Sequence, residues 1–418
     1  MMNEWLKRFA NRADGMQASE IRELLKLLDR PDITSFAGGI PDPSLFPTEA
    51  FAAAYRDALT GTAAGAALQY SVSEGYLPLR QWLVAHMGRL GVACSTDNIL
   101  ITSGSQQALD YLGKLFIGPQ DTVLITRPTY LGALQAFSPY EPRYEYVQPE
   151  VGNATPALYA GAAGASRSKL AFAYLTPDFA NPTGETISPA GRTRMLDLCN
   201  ELDMPLVEDA AYEALRYEGV SPPALLALDC RRSGGIDLAR TIYCGTFSKT
   251  LSPGLRVGWV CAARPVIQKL VLMKQASDLH SPSINQIVMH AVADKYYAEH
   301  TRMLRDVYRR RRDVMLAALN EHMPPPVTWT RPDGGMFVWV RLPDGLDGTR
   351  LLERAIAEAR VAFVPGKAFY ADGTGTSTIR LSFSLAEETE SKAGIERLAR
   401  LVRNEYARLN AQAYPGSS

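Results

Sequence analysis

From about residue 95 the chain alternates short apolar runs with stretches of helical spacing, and this alternation restricts its fold more than any other feature. The runs are "NILITS", "TVLIT", "KLAFAYL" and "MPLVED", and between them stand "SQQALDYLGKLFI", "LGALQAF" and "PAGRTRMLDLCNEL". Continuous apolar runs of this length are strands buried on both faces. Helices between such strands make parallel crossovers, so an α/β fold with a mostly parallel sheet between helices is expected. Ligands bind such sheets beyond the strand C-terminal ends, and functional residues should therefore follow directly after strands.

After about residue 290 the pattern changes to long helices and a hairpin-like pair, "VTWTRPDGGMFVWVRL", with Asp-Gly-Gly as its reversal. The short runs "VAFVPGKAF" and "TIRLSFS" follow. A chain of 418 residues is too long for one small core. The expected division is a large domain over 51–300, a small α+β domain over 301–418, and an N-terminal segment, 1–50, joining the small domain. That segment holds a helix, "SEIRELLKLL", and the extended "SFAGGIPDPSLFP"; "GAAGA" at 161–165 reads as a loop.

Lys and Arg total 44 and Asp and Glu total 44, a balance that supports neither nucleic-acid binding nor attraction to a membrane surface. The run "YRRRRD" at 308–313 sits within helical spacing and reads as a solvated helix face. Five scattered cysteines form no CxxC pair, and five histidines form no HExxH, so no disulfide framework or metal site is expected. No apolar run approaches the roughly 18 residues that span a bilayer. The opening "MMNEWLKRFANRADG" is polar, and a cytoplasmic enzyme is the expectation.

Four strand ends carry chemistry. "YLTPDFANPTGE" follows a strand and carries Asn181, Pro182, Thr183 and Gly184, which could equally be a turn before a helix. "TSGSQQALD" sets Gly104, Ser105 and Gln106 between a strand and a helix, where free N–H groups suit a phosphate, although Ser105 could equally be an N-cap. "PLVEDAAY" ends a strand on Glu208 and Asp209, with Tyr212 beyond, and a buried acid must find a partner. "YCGTFSKTLSPGLRVGW" places Lys249 among Thr246, Ser248, Thr250 and Ser252, with Arg256 further on, and lacks the second glycine of a P-loop. A lysine for a Schiff base, an acid for a pyridine nitrogen and a phosphate cradle together suggest pyridoxal phosphate.

In order and spacing, "NPTG", "EDAAY", "SKTLSPGLRVGW" and "TIRLSFS" resemble the fold-type I pyridoxal-phosphate aminotransferases of classes I and II, from about residue 20 to 405. "LQYSVSEGYLPLR", "KQASDLHSPSINQ" and "RPDGGMFVWVRLP" are similar to 2-aminoadipate aminotransferases and their multisubstrate relatives. The resemblance implies that Lys249 holds the cofactor and acts as the base, that Asp209 pairs with the ring nitrogen, and that Asn181 and Tyr212 meet the ring oxygen. Tyr130 would stack on the ring. Ser105, Gln106, Thr246, Ser248 and Arg256 would hold the phosphate, with Tyr70 reaching it from the neighbouring subunit of a homodimer that shares its active sites. Arg380, with Asn181 and Gly39, would receive the substrate α-carboxylate, and Arg22 a distal one.

The activity implied is ping-pong exchange of an α-amino group between an amino acid (2-aminoadipate, aromatic or branched-chain) and a 2-oxo acid such as 2-oxoglutarate. The alternatives are elimination, cyclisation or decarboxylation on the same cofactor, or a non-catalytic ligand-sensing module. Ala210 stands where relatives often carry a second acid, and Ala180 where many carry Gln, so the pocket wall departs from the family pattern.

Overall fold

The alternating runs fold into one seven-stranded sheet. Its strands are β1 (Ile99–Thr102), β2 (Thr122–Ile125), β3 (Arg143–Tyr146), β4 (Leu170–Leu175), β5 (Leu206–Asp209), β6 (Thr241–Thr246) and β7 (Gly258–Cys261), in the order β1-β7-β6-β5-β4-β2-β3. The structure, a computed structural model, describes residues 5, 7–13, 16, 32–62, 64–165 and 168–413. The helix expected at "SEIRELLKLL" lies outside them.

Strand β7 runs antiparallel to both β1 and β6, while the remaining pairs are parallel. Six strands therefore point one way, and their C-terminal ends share one edge. Side chains alternate between two apolar layers: Ile99, Ile101, Tyr243, Trp259 and Cys261 enter one, Leu100, Ile242, Cys244 and Val260 the other. Helices cover both layers, as a sheet apolar on both faces requires. Among them are α1 (Ser105–Phe116) and α2 (Arg264–Ser277) on the second layer.

A second sheet holds β8 (Thr328–Trp329), β9 (Phe337–Arg341), β10 (Val364–Pro365) and β11 (Thr378–Ser382), all antiparallel, in the order β10-β11-β9-β8. The hairpin expected at the Asp-Gly-Gly turn is the β8–β9 pair. Thr34–Ser35 pairs in parallel with Val361–Ala362, which brings the N-terminal segment to this sheet. The 40-residue helix α3 (Ser283–His322) links the two parts and runs through position 300. Val288, Met289 and Val292 on its first half enter the large-sheet core; Leu304, Tyr308, Met315 and Leu319 on its second half enter the core of the small sheet with α4 (Glu388–Ala413).

Two expectations are corrected. "GAAGA" is not a loop but the end of a helix, Pro156–Ala165, because small residues with Ala predominant sustain helical backbone. The run at 308–313 is not a uniformly solvated face: Tyr308, Arg311 and Arg312 are buried. Arg311 pairs with Asp42 at 2.7 Å, and Arg312 with Asp313 at 2.7 Å and with Glu218. Burial is tolerated because each guanidinium finds carboxylates. The Arg311–Asp42 pair, with the Asp42 N–H donating 3.2 Å to the Tyr308 hydroxyl, fixes the chain just after Gly39.

Candidate active site

The reversal between β6 and β7 carries Lys249. It is closed by the Phe247 N–H donating 3.1 Å to the Val257 carbonyl, while N–H groups of Thr250, Leu251 and Ser252 converge on the Phe247 carbonyl. Lys249 Nζ donates 2.8 Å to the Gly39 carbonyl and stands 5.8 Å from the centre of the Tyr212 ring. Burial, and then the like charges of Arg380 and Arg256, push its ammonium down to about 8, with Asp209 opposing. A lysine so placed loses its proton far more readily than an ordinary one, which suits it as nucleophile and base.

Asp209 ends β5 and is buried. Its Oδ2 accepts a 2.7 Å hydrogen bond from the Tyr174 hydroxyl, while Oδ1 is buried with no partner among the described residues. Burial raises its carboxyl to about 6, with the Tyr174 hydrogen bond and the Lys249 charge pulling it back. Its neighbour Glu208 is a different case: its oxygens accept 2.8 Å bonds from the N–H groups of Leu225 and Leu226, so this acid caps a helix. Tyr212 and Asn181 are buried side by side, the Tyr212 hydroxyl against the Asn181 amide. Tyr130 precedes the helix Leu131–Phe137, and burial and then the Asp209 charge push its phenol up to about 12.

Where β1 meets α1, Gly104 is the N-cap with φ 79°, and Ser105 is the first helical residue rather than the cap. First-turn N–H groups have no acceptor inside the helix, so those of Ser105 and Gln106 remain available. The Gln106 side chain instead donates 2.7 Å to the Gly132 carbonyl, beside Tyr130. Thr246 Oγ1 and Ser248 Oγ lie 2.8 Å apart, and Arg256 reaches Ser248 Oγ at 3.5 Å and the Ser103 carbonyl at 3.4 Å. No Cβ fits on Gly104, where it would strike the Arg256 guanidinium, nor on Gly258, where it would lie 2.7 Å from the Ser105 nitrogen. Arg256 itself adopts φ 54°, a left-handed conformation that costs energy in a non-glycine residue.

Arg380 on β11 is 1% exposed. It donates 2.8 Å to Asn181 Oδ1 and 2.7 Å to the Ala37 carbonyl, and lies 4.3 Å and 5.3 Å from the ring centres of Phe337 and Phe369. Its Nε has no partner, and no carboxylate pairs with it among the described residues. Gly39 stands between the two cations: its carbonyl accepts from Lys249, and a Cβ there would lie 3.6 Å from the Arg380 guanidinium.

A family model for "Aminotransferase class I and II" matches residues 38–398. The chain is 42% identical to a 2-aminoadipate transaminase of Thermus thermophilus over 96% of its length and 97% of the relative's. It is 41% identical to aromatic-amino-acid aminotransferase 1 of Thermococcus litoralis, over 96% and 95% of the two chains. The kynurenine aminotransferase structure of Pyrococcus horikoshii superposes with a TM-score of 0.88 at 42% identity, covering 97% of this chain and 99% of that one. The chain belongs to the class I and II aminotransferases. It is a transaminase of fold type I, and pyridoxal 5′-phosphate is its cofactor.

The residues of this aminotransferase fit that cofactor. The partnerless Asp209 Oδ1 is an acceptor of the kind a protonated ring nitrogen needs, and the Gly104–Gln106 turn with Arg256 forms a cradle that a Cβ would fill. Lys249, Asp209, Tyr212, Asn181, Tyr130 and Arg380 are brought together, as are Ser105, Gln106, Thr246, Ser248 and Arg256. Tyr70 is not among them: it is 78% exposed, edge-on to His280 at 5.9 Å. Arg22 lies outside the described residues.

Sequence reasoning missed the supports. A tyrosine in the continuous apolar run "LAFAYL" signals a buried hydroxyl in need of a partner, and that partner is Asp209. Arg192, 0% exposed, holds the loop before Asn181 through the Pro177 carbonyl and Asp178, and nothing in its helical setting announces this.

Proposed function

We propose that this aminotransferase exchanges the α-amino group of 2-aminoadipate, aromatic or branched-chain amino acids with a 2-oxo acid such as 2-oxoglutarate, in two half-reactions at one site. The observation that carries the reading is Arg380: a buried guanidinium with a free N–H and no carboxylate counterion among the described residues, one residue's width from Lys249. Such a group suits planar, two-point binding of a substrate α-carboxylate. The names of the relatives support the 2-aminoadipate and aromatic part of that range.

Bound in the cradle, pyridoxal phosphate supplies an electron sink that loosens bonds at the substrate Cα. Lys249 Nζ would move the proton at that carbon, Asp209 Oδ1 would keep the proton on the ring nitrogen, and Tyr212 and Asn181 would orient the ring through its oxygen. Tyr130 would cover the ring face. Ser105, Gln106, Thr246, Ser248 and Arg256 would bind the phosphate, and Arg380, Asn181 and Gly39 would set the substrate beside Lys249.

The reading extends to a homodimer in which Tyr70 completes the phosphate site of the neighbouring subunit. Its exposure, together with that of Leu68 (71%) and Val72 (56%), supports a covered surface there. Residues 51–300 would form the cofactor domain, and 301–418 with 1–50 the small one. Arg22 would meet the distal carboxylate of an acidic substrate. A cytoplasmic location accords with five free cysteines. No helix among the described residues is long and apolar enough to cross a membrane.

Mixing the purified yellow protein with single amino acids tests this. Conversion of the cofactor to its pyridoxamine form, reversed by 2-oxoglutarate, is expected with 2-aminoadipate and with aromatic amino acids, and Arg22→Ala should impair only the former. An eliminated, cyclised or decarboxylated product without amino transfer would refute it.

A further inference from the structure

Ser103, which leads into the phosphate cradle, is gripped by groups that touch neither cofactor nor substrate in the arrangement above. Its N–H donates 2.8 Å to Gln107 Oε1, and its hydroxyl lies 3.1 Å from Ser281 Oγ and 3.4 Å from Asp278 Oδ2. Gln107 Nε2 donates 2.8 Å to Asp278 Oδ2. At the centre stands Lys274, near the C-terminal end of α2 and 0% exposed. Its ammonium donates 2.8 Å to Gln107 Oε1 and 3.0 and 2.9 Å to the two Asp278 oxygens.

All three ammonium hydrogens thus have acceptors, and Gln107 Oε1 accepts from Lys274 and Ser103 at once. Burying an ion pair brings little net stability over an apolar pair of the same size, so stability alone does not call for a lysine here. What the network does supply is a fixed position for Ser103. The Ser103 carbonyl in turn accepts from Arg256 at 3.4 Å, and the next residue is Gly104, whose left-handed turn aims the free N–H groups.

We propose that Lys274, Gln107 and Asp278 are positioning residues for the cofactor phosphate, holding the Ser103–Gln106 turn in its binding geometry from behind. The proposal rests on the reading of that turn as the phosphate cradle. It adds three residues, two of them charged, that act on the phosphate only through the backbone they hold.

The test compares two ligands. Cofactor is removed from the purified enzyme, and rebinding of pyridoxal 5′-phosphate and of pyridoxal, which lacks the phosphate, is titrated by absorbance. Lys274→Met should weaken pyridoxal-phosphate binding about tenfold while changing pyridoxal binding by no more than about twofold, the loss of a charge-assisted hydrogen-bond network being felt at the phosphate alone. Gln107→Ala, which leaves the Lys274–Asp278 ion pair in place, should act in the same direction and serves if the lysine variant does not fold. Arg256→Ala is the control for the cradle. If it weakens the phosphorylated ligand selectively and the other two variants do not, the positioning role is wrong. If Arg256→Ala also leaves the ratio of the two affinities unchanged, the cradle reading fails and the proposal with it.

Discussion

Replacing Tyr174 by Phe removes one atom from the wall of the site and should move its pH dependence. The Tyr174 hydroxyl is the partner of Asp209 Oδ2, at 2.7 Å, and the ring is 0% exposed, so water has no open path to take its place. A hydrogen bond to a charged group contributes about 1.5–3 kcal/mol, and 1.36 kcal/mol corresponds to one pKa unit. Asp209 already stands at about 6 because burial raises it. Loss of the hydroxyl should carry it roughly one to two units higher. Most cofactor-free sites would then hold a neutral Asp209 at pH 7, unable to favour a protonated ring nitrogen. The assay is the pH profile of cofactor binding and of the amino-acid half-reaction. The acid limb should move to higher pH by at least about one unit, with the alkaline plateau retained. A correctly folded Tyr174→Phe enzyme whose acid limb coincides with that of the parent would refute the link between this hydroxyl and the ionisation of Asp209.

Two further outcomes are expected. Arg380→Lys keeps a charge but loses the planar fork held by Asn181 and Ala37 and sandwiched by Phe337 and Phe369, so kcat/KM for amino acids should fall about ten- to a hundredfold with cofactor content unchanged; an unaltered KM would remove Arg380 from the carboxylate site. Glu213, beside His86 Nε2 at 3.8 Å, is raised to about 7 by burial first, then by the Asp178 charge, with Arg305 opposing. A carboxyl with a higher pKa folded than unfolded stabilises the fold fully below its unfolded value and loses that contribution as pH rises through about 7. Glu213→Gln should therefore flatten the fall in Tm of cofactor-free protein between pH 5 and 8, by on the order of 2 °C; parallel Tm curves for the two proteins would contradict this.

The parallel sheet was legible because its inner strands are buried on both faces and carry no polar alternation, whereas the edge strand β3, Arg-Tyr-Glu-Tyr, is half-exposed and gave no such run; Asp209 was legible because it ends such a strand, and Lys249 and Asn181 because they follow one. Arg311 and Arg312 were not. Spacing places them on a helix, but whether an arginine faces water or a carboxylate depends on Asp42 and Glu218, which the chain supplies from far away. The same holds for Lys274, whose partner Asp278 is a helical neighbour but whose link to the cradle runs through Gln107. The roles of Gly258 and Gly104 also rest on contact: the first has no room for a Cβ because the turn before α1 presses against β7.

Local sequence determined the order of elements, the strand ends that carry the reactive groups, and the lysine among hydroxyls that answers to a phosphate. Those features are written in periodicity and in short motifs, which act over a few residues. Tertiary structure alone decided that, among the described residues, Asp209 has one satisfied and one free oxygen and Arg380 lacks a carboxylate partner, and that Gly39 bonds Lys249 while lying close to Arg380. Each of these is a balance between burial and pairing. A side chain's burial is set by elements hundreds of residues apart in the chain, as when Arg380 meets Ala37 and Asn181 across two sheets.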